Sequence, residues 1–325
     1  MNKKYHFVLG ALILIFLAIS INLCYFWRLN QSSKNLEDSF LRLDQNQKIL
    51  SAYLLNIQEL KPIRKVEENL PEITASSAIS LLIKNDGSER ILYEKNKEKI
   101  LPIASLTKLM TAKIVLENYN LNKIIKIRKE SVEQIGKVGN YKIGESFKVK
   151  DLLYSILIES SNHAAQALAQ VIGIDNFVNL MNFEAKKIRL LQTSFVNPTG
   201  LPSATSTFVL LDENYSTAAD LAEFGKSLVK NNSKILEISS LIEFDLYTAD
   251  GFLHHKVENK ILKENQNLEV LASKTGYTIK AKKCLFLIIK APKNQGVIIN
   301  VILGSESYFE EMRKLIDWLE TAYRW

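Results

Sequence analysis

The chain has 325 residues, 47% hydrophobic and 24% charged, a globular composition with room for one large domain or two modest ones. Its formal net charge of +7 is spread along the chain, without the dense Lys/Arg block and interleaved aromatics of a nucleic-acid surface. Two cysteines give no disulfide framework, and four histidines without ligand spacing argue against a metal centre.

In chain order, residues 7–27 (FVLGALILIFLAISINLCYFW) form an apolar run without a formal charge. At about 1.5 Å per residue such a run crosses the ~30 Å hydrocarbon core of a bilayer. Lys3 and Lys4 precede it, and Tyr25, Phe26 and Trp27 stand where an interfacial aromatic belt sits. Ala18-Ile19-Ser20 would serve as a cleavage site, but further apolar residues follow it, and Leu23 before Cys24 does not suit lipoprotein processing. The predicted element is an uncleaved transmembrane helix. Leu36, Phe40, Leu43, Gln47, Leu50, Leu54 and Ile57 then recur at spacings of four and three, a heptad stripe with one polar member. Either a short coiled coil, making a homodimer through 36–57, or a helix lying on its own domain satisfies it. Pro62 and Pro71, among Lys61, Arg64, Lys65, Glu67 and Glu68, mark a linker. The expected division is a membrane anchor at 1–30, a helical stalk and linker at 31–73, and the main domain at 74–325.

Within that domain a strand over 78–84, a turn at Asn85-Asp86-Gly87-Ser88 and a strand over 90–94 read as a hairpin. A helix is predicted from Ser105. Lys142-Ile143-Gly144-Glu145 reads as a hairpin turn with no chemical role. Residues 151–158 read as a helix running into Glu159-Ser160-Ser161-Asn162-His163, and His254-His255 as a polar turn. Residues 268–272 form a strand leading into Ser273-Lys274-Thr275-Gly276-Tyr277-Thr278. Apolar strands follow over 284–289 and 297–303, and a last amphipathic helix carries Phe309, Met312, Leu315, Ile316 and Leu319 on one face.

Ser105 and Lys108 are i and i+3, so on a helix their side chains meet. A serine hydroxyl is a weak nucleophile until a base takes its proton. Lysine can be that base when burial or a second cation lowers its pKa. Alone, S-x-x-K is equally a helix start beside a solvated lysine. S-x-N at Ser160–Asn162 alone is a polar turn, and K-T-G at Lys274–Gly276 a strand end. In order, S-x-x-K, S-x-N and K-T-G make a trio found in serine acyl-enzymes of the β-lactamase and penicillin-binding type.

The chain from about residue 76 onward resembles the serine-type D-alanyl-D-alanine carboxypeptidases, the low-molecular-mass penicillin-binding proteins. Besides the trio, Pro102–Ala112 (PIASLTKLMTA), Asn197-Pro198-Thr199-Gly200-Leu201, Tyr215-Ser216-Thr217-Ala218 with Asp220-Leu221, and Asn259 with Ile261-Leu262 are similar to that family's segments. The departures are His163, where an aspartate is frequent, and Ala281-Lys282-Lys283-Cys284, where a glycine is common. The resemblance implies an α+β fold: a β-lactamase/DD-peptidase-like antiparallel sheet flanked by helices, plus an all-helical subdomain.

It further implies removal of the terminal D-Ala from peptidoglycan stem peptides through an acyl-enzyme on Ser105, and reaction with β-lactam antibiotics. Lys108 would be the general base and Ser160 the relay to the departing nitrogen. Asn162 would hold Lys108 and the substrate amide. Lys274, with Thr275 and Thr278, would receive the terminal carboxylate, and the N–H groups of Ser105 and Tyr277 would hold the oxyanion beside Gly276. No metal or cofactor is needed. Such work places the domain outside the cell membrane, held by residues 7–27, with secretion after signal cleavage as the alternative. A DD-endopeptidase, a β-lactamase (for which no E-x-x-L-N segment follows Asn162) and a non-catalytic wall-binding scaffold are the competing readings.

Overall fold

The computed structural model describes residues 3–65, 68–136, 138–202, 213–231, 233–264 and 268–325, with side chains undescribed at 3–15, 18, 33, 35–38 and 53–60 of the first helix. The chain divides into two compact units, residues 1–63 and 64–325.

The first unit is one continuous helix, α1 (Lys3–Leu60). It holds both the apolar run and the heptad stripe. Among the described residues no helix is long and apolar enough to cross a membrane. Residues 7–15 and 18 of the expected span carry no described side chains. The rest of that span presents its apolar residues outward: Phe16, Ile21, Leu23, Phe26 and Trp27 are each exposed. Of the heptad stripe, Leu36, Leu54 and Ile57 lie outside the described side chains, while Phe40, Leu43 and Leu50 are exposed.

The second unit is built on a five-stranded antiparallel sheet. Its strands are β1 (Ser77–Ile83), β2 (Glu89–Lys95), β5 (Val270–Thr278), β6 (Lys282–Lys290) and β7 (Val297–Ser305), in the order β5-β6-β7-β1-β2. The β1–β2 hairpin closes at the predicted turn, where Gly87 N–H donates to Lys84 O. The register brings Phe286 opposite Val301 and Ile299 opposite Leu81. The central strands are apolar on both faces because both are covered. Phe286, Ile288, Ile299 and Val301 face the helical part, with Leu109, Met110 and Phe224. Leu285, Leu287, Ile298 and Ile302 face the last helix, α7 (Tyr308–Ala322), with Met312, Leu315, Ile316 and Leu319.

The helical part comprises α2 (Thr107–Asn118), α3 (Asn162–Ala169), α4 (Ile174–Lys187), α5 (Ala218–Asn231) and α6 (Ser233–Ser239). A small ribbon, β3 (Glu243–Tyr247) and β4 (Leu253–Glu258), lies in the chain between α6 and β5. The structure thus puts His254 and His255 in a strand, where a polar turn was expected. The predicted helix over 151–158 is a helix only over Val149–Tyr154, then widens into a π turn, Ser155–Glu159. The first site segment opens α2, the second precedes α3, and the third lies on β5, an edge of the sheet.

Candidate active site

Ser105 sits in a 3-10 turn, Ala104–Leu106, that leads into α2. Ala104 takes φ +46°, a left-handed conformation uncommon for a residue with a Cβ. Thr107 Oγ1 donates to Ala104 O at 2.7 Å, and Asn214 Nδ2 donates to Thr107 Oγ1 at 2.8 Å. The 197–201 loop closes over the same carbonyl. Asn197 Oδ1 accepts the Gly200 N–H at 2.7 Å, and Thr111 Oγ1 donates to Pro198 O at 2.7 Å. A Cβ at Gly200 would stand 1.9 Å from Ala104 O, so the loop reaches the serine turn only because that position has no side chain.

Lys108, one turn on, is fully buried. Its three Nζ donors meet three acceptors: Ser105 Oγ at 2.8 Å, Asn162 Oδ1 at 2.7 Å and Thr199 O at 2.6 Å. Burial, and after it the nearby Lys274 cation, hold the Lys108 ammonium well below its ordinary range. When Nζ loses a proton it keeps two N–H groups for Asn162 and Thr199 and turns its lone pair to the Ser105 hydroxyl.

The second segment is positioned by strain. The π turn ends at Ser160 with φ +67° and ψ +34°. π turns and left-handed non-glycine residues concentrate at functional sites. Ser161 caps α3, accepting the Ala164 N–H at 3.3 Å, which leaves Asn162 free of capping duty. Asn162 Nδ2 donates to Ile135 O at 2.7 Å, fixing its Oδ1 toward Lys108. His163 points elsewhere: it is buried, with Nε2 3.2 Å from Gln134 O.

On β5, Lys274 Nζ donates to Ser160 Oγ at 2.8 Å and to Thr275 O at 2.9 Å. Burial brings the Lys274 ammonium down to about 7. Gly276 lets the strand approach the serine turn, since a Cβ there would come 3.0 Å from Ser105 N. Tyr277 is exposed at 63%, and Thr275 is half-buried. The Thr278 hydroxyl accepts the Ala281 N–H at 3.0 Å and closes the turn into β6. A cavity of about 380 Å³ opens beside Ser160, Lys274 and Thr275 and continues past Glu159, Lys256, Glu258, Lys260, Tyr308 and Phe309.

The predicted residues therefore converge as two serine–lysine pairs, Ser105–Lys108 and Ser160–Lys274, with Asn162 bonded to the first of them. Motif reading missed the Thr199 carbonyl and the Asn214 clamp. A backbone acceptor has no side-chain signature, and Asn214 acts from a residue distant in the chain.

The D-alanyl-D-alanine carboxypeptidase family matches residues 64–307. A D-alanyl-D-alanine endopeptidase of Pseudomonas aeruginosa is 31% identical over 257 residues, covering 75% of this chain and 77% of the relative. D-alanyl-D-alanine carboxypeptidase DacF of Bacillus subtilis is 31% identical over 265 residues, covering 78% of this chain and 63% of the relative. The ampicillin-bound structure of penicillin-binding protein D2 from Listeria monocytogenes superposes with a TM-score of 0.65 at 26% identity, covering 77% of this chain and 98% of that one. With the fold, the three segments and these likenesses in agreement, the chain belongs to the D-alanyl-D-alanine carboxypeptidase family of serine-type peptidases.

Proposed function

We propose that Ser105 is the nucleophile and Lys108 the base that activates it, in removal of the terminal D-Ala from peptidoglycan stem peptides. The observation that carries this reading is the buried Lys108 Nζ, 2.8 Å from Ser105 Oγ, with its ammonium form disfavoured by burial and a second cation. Lys108 takes the Ser105 proton as Oγ attacks the penultimate D-Ala carbonyl. The backbone N–H groups of Ser105 and Tyr277 stabilise the oxyanion. Ser160, held by Lys274, passes a proton to the departing nitrogen, and water then hydrolyses the ester. The arriving carboxylate restores the charge on Lys274, because an opposite charge favours the ammonium. Asn162 keeps one N–H for the substrate amide, and the free edge of β5 pairs with the peptide backbone. The Thr278 hydroxyl accepts the Ala281 N–H and keeps its own O–H to donate to the carboxylate beside Thr275.

The cavity beyond Lys274 and Thr275 favours a second use of the same machinery, cleavage of cross-links whose leaving group is larger than D-Ala. Incubation of the full-length protein with diacetyl-L-Lys-D-Ala-D-Ala, and separately with a cross-linked muropeptide dimer, followed by mass spectrometry, tests both uses. Release of D-Ala from the tripeptide supports the carboxypeptidase reading, and its absence overturns that reading. Conversion of the dimer to monomers supports the endopeptidase use.

The division proposed from the sequence is kept: anchor 1–30, stalk and linker 31–73, and catalytic domain 74–325. Residues 7–27 hold the protein in the cell membrane with the domain outside, where peptidoglycan lies; the uncharged run and the unbroken helix α1 support this. Protease added to spheroplasts should degrade the domain and leave a small membrane-bound fragment. Ile21 as the mature N-terminus would show a cleaved signal instead. The exposed stripe of Phe40, Leu43 and Leu50 supports pairing of two copies through α1.

A further inference from the structure

His254 and His255 are neighbours in β4, yet their rings meet. Alternate residues of a strand face opposite ways, but the ribbon carries a bulge here. Leu246 pairs with His255 and Tyr247 with Leu253, so His254 is the extra residue. Bulges re-aim side chains and are frequent beside active sites. The result is a chain of contacts running to the residue before Ser160. His254 Nε2 lies 3.2 Å from Glu145 Oε2, and the two Nδ1 atoms are 2.7 Å apart. His255 Nε2 lies 3.0 Å from both oxygens of Glu159.

Each of these three contacts joins atoms that both carry lone pairs, so each needs one proton. Two neutral imidazoles facing two ionised carboxylates supply only two. The geometry therefore requires one proton more, shared by the histidine pair between two anions. Burial, ahead of the opposing pull of Glu145, holds the His254 imidazolium below its ordinary range. The groups facing the pair are few. Tyr141 stacks on His254 at 5.3 Å and 23° and meets His255 edge-on. Its buried hydroxyl stays neutral, pushed well up first by burial and then by Glu159, Glu145 and Asp151. Phe147 meets His254 edge-on, and Ser155 Oγ donates to Glu159 Oε1 at 2.6 Å. The Lys142 N–H donates to Glu145 Oε2 at 2.8 Å, so the turn at 142–145 fixes the far anion.

We propose that His254 and His255 are positioning residues: their shared proton anchors Glu159, and through it holds Ser160 in the strained conformation that acyl transfer needs. A left-handed serine is strained and persists only where its surroundings over-determine it. Lys274 holds Ser160 from one side, and the Glu145–His254–His255–Glu159 chain holds it from the other. Loss of the proton at high pH leaves one of the three contacts without a hydrogen: either the two Nδ1 lone pairs face and push the rings apart, or one carboxylate loses its donor, and in both cases Glu159 is held less firmly. The turn at 142–145 thereby has a role that its sequence alone did not display.

The kinetic part of this inference rests on the Ser105–Lys108 reading; the proton count does not. Full-length protein labelled with 15N-histidine is examined by NMR at pH 6.5, with His254→Gln and His255→Gln assigning the signals. Three protonated nitrogens of the four in this pair are expected; two overturn the proposal. The rate of acylation by a fluorescent penicillin is then followed against pH. Wild type is expected to give a bell. Glu145→Gln, which does not touch Ser160, should shift the alkaline limb to lower pH by about one unit. His254→Gln should lose that limb and lie about tenfold below the wild-type maximum. A limb unmoved in both variants overturns the positioning role. Acylation absent from wild type with three protons still counted indicts the Ser105–Lys108 reading and the role built on it.

Discussion

Lys274 Nζ donates a 2.8 Å hydrogen bond to Ser160 Oγ from a site so buried that its ammonium is brought to about 7. In the unfolded chain the same lysine keeps its proton up to its ordinary value of 10.5. Between these values the unfolded state binds more protons, so this residue makes stability rise with pH, and below about 7 its full cost is present.

Lys274→Met removes that dependence. Relative to wild type, the variant should be stabilised more at pH 6 than at pH 10, by an amount on the order of 4 kcal/mol. Chemical denaturation at the two pH values measures it. An equal difference at both would mean that Lys274 is not held in a desolvated site.

Gly200 and Gly87 share φ +83° but differ in surroundings: a Cβ at Gly200 meets Ala104 O, and one at Gly87 meets nothing within 4 Å. Gly87→Ala should cost about 1 kcal/mol of backbone strain and leave acylation unchanged. Gly200→Ala should also push the Ser105 turn out of place and slow acylation by about a hundredfold. Similar acylation rates in the two variants would separate the loop from the serine.

The two lysines have different duties in the proposed mechanism. Arginine cannot shed its proton near neutral pH, so Lys108→Arg should lower acylation by about 10²–10⁴ for any substrate. Lys274→Arg keeps the charge a carboxylate needs and should retain measurable turnover, with much of the loss in KM. The opposite pattern would assign the base to the other lysine.

What could be read from the sequence follows from how local each signal is. The spacing of Ser105 and Lys108 already put their side chains together, and continuous apolar runs marked β6 and β7 at their correct places. The glycine missing before Cys284 was also visible; Lys282 takes φ +54° there, a conformation that glycine adopts without strain. The π turn before Ser160 was not visible, because its residues carry the same apolar pattern as an α-helix. The bulge at His254 was hidden for a different reason. It exists only as a mismatch of register with Leu246 and Tyr247, a relation between two strands rather than a property of either. The Thr199 carbonyl reaches Lys108 from 91 residues away.

The most direct measurement is the mass of the peptide carrying Ser105 after reaction with penicillin. Digestion of the labelled full-length protein should yield the Ser105 peptide with one penicilloyl group, fragmentation should place that group on Ser105, and Ser105→Ala should carry none while keeping the wild-type circular dichroism. A penicilloyl group found on Ser160, or one that persists in folded Ser105→Ala, would contradict the assignment of the nucleophile.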